Sequence, residues 1–252
     1  MTYIGFVERR ISKVKLKELG MDMPYIKNEN YIIKIQEREG LSYQEAVRQD
    51  YELNWKEKRW QFQLMTRCMT SMVERIMHPI ETGDCWKILI ECVDDKPEER
   101  IKNLLGVYTI QILFDVKKFF ELSEYNKKKM VVETILKGIN KLEEVVPFKL
   151  GEIREACDKI ISEKYHNIWR WKKPIKLMNQ YAQIEVVHEV NIVNIHMLFL
   201  DNAGNVIKNT LIISALPDEI CYNEYLGKLE RISDTQVALI TKSGEKYIQE
   251  YN

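Results

Sequence analysis

The chain has 252 residues, 45% hydrophobic and 30% charged, with only 10 glycines and 6 prolines, which excludes a disordered or collagen-like protein and allows a core without disulfide or metal staples. Thirty-eight basic residues against thirty-eight acidic ones leave no net charge, so no global field steers it toward nucleic acid or an anionic membrane. Met1 to Arg10 lacks the apolar run of a secretory signal, and the most apolar stretch, Leu104 to Phe114, is about half a bilayer span, so the expected location is cytoplasmic, with no membrane partner.

In chain order, short strands are expected over Thr2 to Val7 and Tyr31 to Ile35, around a polar connection holding Gly20 and Pro24. Ser42 followed by Glu45 is a capping box and starts a helix. Phe62, Met65, Met69, Met72, Val73 and Ile76 continue that helical spacing to His78, where Pro79 stops it; one break is expected near Asn54. Trp86, Ile88, Ile90 and Cys92 then alternate with Lys87 and Glu91, the pattern of a half-buried strand. A charged loop from Asp94 to Arg100 leads to a second strand, Val107 to Phe114, expected to pair with the first. Asp115 caps a short helix and Ser123 a longer one, with Val132, Ile135, Leu136, Ile139, Leu142 and Val146 on one stripe and a Lys-rich solvated face at 127 to 129. Past Pro147 a further amphipathic run carries Ile153, Ala156, Cys157, Ile160, Ile161 and Ile168, and is expected to end before Pro174 with Trp169 and Trp171 at its C-terminus. From Tyr181 the chain reads as antiparallel strands, with hairpin turns at Asp201 to Gly204, at Ser233 and Asp234, and at Lys242 to Glu245. The expectation is α+β: an antiparallel sheet with amphipathic helices packed on one face, one compact domain over 1–252, helix-rich at 41–172 and hairpin-rich at 176–252.

Five cysteines without a CxxC pair argue against both a disulfide framework and a zinc ribbon, and their apolar neighbours suggest buried thiols. His188, Glu189 and His196 lack the one-turn spacing of a zincin helix, so no metal is expected there, and no phosphate-binding or nucleophile-elbow motif points to a cofactor or a familiar catalytic site. Two clusters remain as candidate partner-binding residues. Asp94, Asp95, Glu98 and Glu99 put four carboxylates in one loop, a charge pattern suited to a basic protein. Trp169 and Trp171 sit among Arg170, Lys172, Lys173 and Lys176, a mixture that can stack bases; yet the following segment, 176–252, carries ten acidic residues against six basic ones, so it does not extend a basic groove and nucleic acid is not the expected partner.

The segment Asp115, Val116, Lys117, Lys118, Phe119, Phe120, Glu121, Leu122, then Lys127 to Met130 and Leu136, Lys137, Gly138, has a companion in Leu200, Asp201, Gly204, then Gly227, Lys228, Leu229, Ser233, Asp234, then Lys242, Ser243, Gly244. Together they resemble a pattern found in bacterial polymorphic-toxin immunity proteins. The resemblance implies a cytoplasmic, non-enzymatic α+β protein that binds and blocks a cognate toxin domain, and it transfers no site residue. The alternatives are an enzyme whose site is assembled from distant residues, among them His166, His188 or His196, and a nucleic-acid-binding protein using 169–176.

Overall fold

A computed structural model describes residues 14–251, and the strand expected over Thr2 to Val7 lies outside them. The chain begins with β1 (Val14–Lys15) and β2 (Glu18–Asp22), followed by α1 (Glu29–Glu39) and α2 (Tyr43–Asp50). Tyr31 to Ile35, expected as a strand, belongs to α1. Asn28 accepts a hydrogen bond from the Tyr31 N–H, Gly40 closes the other end at φ 67°, and Ile32 and Ile35 share the buried face, so caps and three-residue spacing override the β preference of the isoleucines. The capping box of Ser42 and Glu45 forms at the start of α2. A π-helical turn, Tyr51–Trp55, joins α2 to α3 (Lys56–Ile76) where the helical pattern breaks near Asn54.

After β3 (Glu81–Gly83), which pairs with β1, come β4 (Lys87–Val93), β5 (Lys102–Leu104) and β6 (Val107–Leu113). The two strands predicted to pair do so in parallel, with Lys87 opposite Val107 and Val93 opposite Leu113. Parallel neighbours need long returns. The helices α1 to α3 return the chain from β2 to β4, while the charged loop and β5, running antiparallel along β6, return it from β4, giving the order β2-β4-β6-β5.

Next are α4 (Val116–Glu121) and α5 (Glu124–Glu143), capped by Asp115 and Ser123 as predicted, and α6 (Gly151–Ser162). Residues of α3, α5 and α6 join Ile88, Ile90 and Ile110 in one apolar cluster, where the rings of Phe62, Phe114 and Phe119 lie 5.3 to 5.6 Å apart. The lysine face of α5 is not wholly solvated. Lys127 is buried with its ammonium 5.8 Å from the Phe119 ring, and Lys128 is buried against Glu189, so two of the three stems cover apolar surface; Lys129 alone is exposed.

The last third holds β7 (Ile168–Lys176), β8 (Tyr181–His188), β9 (Val193–Leu200), β10 (Val206–Ala215), α7 (Glu219–Tyr222), β11 (Lys228–Arg231), β12 (Gln236–Ile240) and β13 (Lys246–Glu250). Strands β7 to β10 form one antiparallel sheet and β11 to β13 another, with turns at the predicted places. Trp169 and Trp171 lie on β7, not at the end of a helix, because α6 stops at Ser162 and Lys164 and Tyr165 take φ of 55° and 61°, which breaks the helix before the tryptophans are reached. From Ile168 the side chains alternate out and in, which is strand periodicity. Ile184, Val186 and Phe199 of the larger sheet share a second apolar cluster with Val237 and Leu239 of the smaller one, and the Phe199 and Tyr251 rings lie 6.1 Å apart. The architecture is α+β, with helices in the middle and strands dominating the end.

Candidate functional site

The two apolar clusters meet along α3 through polar contacts. The Cys68 thiol donates to the His188 carbonyl at 2.9 Å, the His188 N–H donates to the Asn167 carbonyl at 2.9 Å, and the Asn167 side chain bridges the Cys68 carbonyl and Arg75. Beside them Arg67 reaches across to α7. Its Nε and Nη2 donate to Glu219 at 2.6 and 2.9 Å, and its Nη1 and Nη2 to Glu74 at 2.9 and 2.6 Å. Burial works against this cation, but the two carboxylates outweigh it and hold its pKa above the usual arginine value.

A cleft opens on each side of that network. One, of about 350 Å³, lies between Gln63 and Thr66 of α3, Glu18 and Lys87 of the sheet, and Asp218. The other, of about 330 Å³, is walled by Ser71 and Arg75 of α3, Trp169 and Trp171 of β7, and Tyr222 and Leu226. Arg75 lies over the Trp169 ring, 4.4 Å from its centroid, and burial lowers its pKa. His188 lies behind this wall, wholly buried, its ring 5.6 Å from Tyr222 and 6.4 Å from Trp169, with Nδ1 3.5 Å from the Ser71 hydroxyl. Burial lowers its pKa to about 3; the Pro217 carbonyl acts the other way without completing a hydrogen bond to Nε2. A ring that stays neutral down to that pH is a poor general base for Ser71. Burial also pushes the Cys68 thiol up to about 12, so it is protonated at neutral pH. Four of the cysteines are buried, and Cys221, expected to be buried, is exposed. Among the described residues no three His, Cys, Asp or Glu side chains converge on a metal position, and no helix is long and apolar enough to cross a membrane.

The two predicted clusters are far apart in the topology. Trp169 and Trp171 line the second cleft, half-buried against the C-terminal cluster, with the Lys172 ammonium 4.1 Å from the Trp171 ring centroid. Asp94, Asp95, Glu98 and Glu99 are exposed in the loop between β4 and β5. Glu98 pairs with Lys102 at 2.9 Å and its N–H donates to Gln111, which lays the loop along the edge of the sheet, while the Asp95 carboxylate accepts from the Lys96 N–H.

That edge ends in a feature the sequence patterns do not single out. Leu104 and Leu105, at the tip of the β5–β6 hairpin, are 73% and 89% exposed. Leu105 has φ 51° and Gly106 φ 82°, the left-handed pair of a two-residue hairpin turn whose first position normally takes Asn, Asp or Gly. The tip is braced from below. Trp86, itself exposed and not part of the buried row of β4, donates its indole N–H to the Leu105 carbonyl at 2.9 Å. Asn103 accepts from the Gly106 N–H and donates to Asp84, which also accepts from the Tyr108 hydroxyl. Gly106 itself is obligatory, since a Cβ there would stand 2.5 Å from the Asp84 carbonyl. The one available sequence signal was two leucines before a glycine, where a polar turn residue is the rule.

Searches for a matching family model, a matching curated protein and a matching solved structure each found none.

Proposed function

We propose that this chain is a non-enzymatic binding protein of the immunity type, which holds a basic protein partner, a cognate toxin domain, along the β5 edge of its mixed sheet. The observation that carries the reading is the braced pair Leu104 and Leu105. A large apolar side chain in water, held at positive φ in a rigid turn, adds cost without adding to the core, and it is the arrangement expected of an anchor that enters a partner's pocket. Asp94, Asp95 and Glu99 on the same edge add exposed carboxylates without an ion-pair partner among the described residues, and they complement a partner whose pocket is rimmed by Lys and Arg. The weaker support is the resemblance to immunity proteins in the segments around Asp115 and Leu200.

The test uses the full chain as bait beside a variant carrying Leu104→Ser and Leu105→Asn. The expected result is one stoichiometric protein retained by the parent and lost by the variant, toxic when produced alone and harmless when co-produced with the parent chain. A retained protein that is not toxic overturns the immunity reading, and equal retention by both baits overturns the assignment of the edge.

A further inference from the structure

We propose that the cleft walled by Arg75, Trp171 and Tyr222 is a binding site for a small zwitterion with an apolar side chain, an α-amino acid or a short peptide. The argument begins with charge. Arg67 is shared by Glu74 and Glu219, so that triad carries one uncompensated negative charge, and both carboxylates line this cleft. Arg75 lines the same cleft and forms no ion pair among the described residues; Glu163 acts on it only at a distance. One cavity therefore presents a negative pole whose two carboxylates share a single cation and a positive pole without an ion pair among the described residues. A simple anion would meet the carboxylates and a simple cation would meet the guanidinium; a molecule bearing both ammonium and carboxylate satisfies the two together.

The positive pole is also held in place before any ligand arrives. The Arg75 guanidinium is stacked on Trp169 and donates to Asn167, which is completely buried and donates in turn to the Cys68 carbonyl. A guanidinium fixed in this way loses little freedom when a carboxylate binds to its remaining N–H groups. Trp171, Tyr222 and Leu226 add apolar surface to the wall, and Ser71 and Asn223 line the same cavity. Its volume of about 330 Å³ is at the small end of ligand pockets, which suits an amino acid or dipeptide and not a nucleotide.

The site shares no residue with the β5 edge, so the experiment stands whether or not a toxin is the protein's partner. The full chain is titrated with L-phenylalanine, phenylalanylglycine, hydrocinnamate (no ammonium) and phenethylamine (no carboxylate), followed by calorimetry and tryptophan fluorescence. The expected result is saturable binding of phenylalanine or the dipeptide, with each single-charge analogue at least about tenfold weaker, the loss of roughly one good polar contact. Arg75→Gln is expected to remove the advantage of phenylalanine over phenethylamine. Hydrocinnamate or phenethylamine binding as tightly as phenylalanine would overturn the zwitterion assignment, and no response to any of the four at about 10 mM, a concentration where even weak millimolar sites fill, would overturn the site. The analogue series reads both poles in the unaltered protein, so the conclusion does not depend on the variant folding.

Discussion

Leu105 bears two costs, an apolar side chain left in water and a backbone conformation that L-residues with a branched chain avoid. Leu105→Asn removes both, because Asn tolerates the left-handed region and is a preferred residue of this turn. The variant is expected to be as stable as the parent or more stable by about 1 kcal/mol in urea unfolding, while losing affinity for the proposed partner. Stability and binding moving in opposite directions would separate an interaction residue from a structural one. His188 gives a different residue-scale prediction. Its folded pKa, lowered to about 3 by burial, lies below the 6.5 of the free side chain, so between those values the unfolded chain binds the extra proton. Its contribution to stability is complete above pH 6.5 and is lost as pH falls toward 3, at a slope approaching 1.4 kcal/mol per pH unit in the middle of that window. Urea midpoints measured from pH 7 to 4 are expected to decline less steeply for His188→Phe than for the parent. An imidazole NMR resonance of His188 that titrates between pH 8 and 5 would contradict the assignment.

The elements that were legible in the sequence are those whose signal is local. The Ser42–Glu45 box, the Asp115 and Ser123 caps, the stripe from Val132 to Leu142 and the alternation from Ile88 to Cys92 each depend on residues a few positions apart, and each appears in the fold. Tyr31 to Ile35 is helical and not a strand because Asn28 and Gly40 cap α1 and Ile32 and Ile35 share its buried face. The apolar spacing of α6 extends in the sequence to Ile168, but Lys164 and Tyr165 take left-handed backbone and end the helix, so Trp169 and Trp171 fall on an alternating strand. Neither cleft nor tip was readable, since Ser71, Trp169 and Tyr222 come from three distant segments and the exposure of Leu105 exists only once Trp86 supports the turn. Packing between elements adds its own constraint at Gly138, where a Cβ would stand 2.9 Å from the Ile90 side chain. Gly138→Leu puts a whole isobutyl group between α5 and β4, and it is expected to destabilise by about 2 to 3 kcal/mol in thermal or urea unfolding, with the helix pushed off the sheet.

At the scale of the molecule, Arg67 ties α3 to α7 and so one apolar cluster to the other. Removing its charge leaves Glu74 and Glu219 facing each other in a partly buried site. Arg67→Gln is therefore expected to cost about 2 to 4 kcal/mol, more than Glu219→Gln, in which the arginine keeps Glu74. A double-variant cycle over Arg67 and Glu219 that shows no coupling energy would mean the bridge is solvated and contributes nothing. The pairing of β2 with β4 has a further consequence for how the chain reaches this state. Glu18 lies opposite Lys87, so the N-terminal sheet closes only after three helices have been placed between the two strands, whereas β8, β9 and β10 are joined by short hairpins that need little chain entropy to form. During synthesis from the N-terminus, β2 emerges with neither side paired and waits through three helices for β4, an interval in which an open strand can pair with another chain.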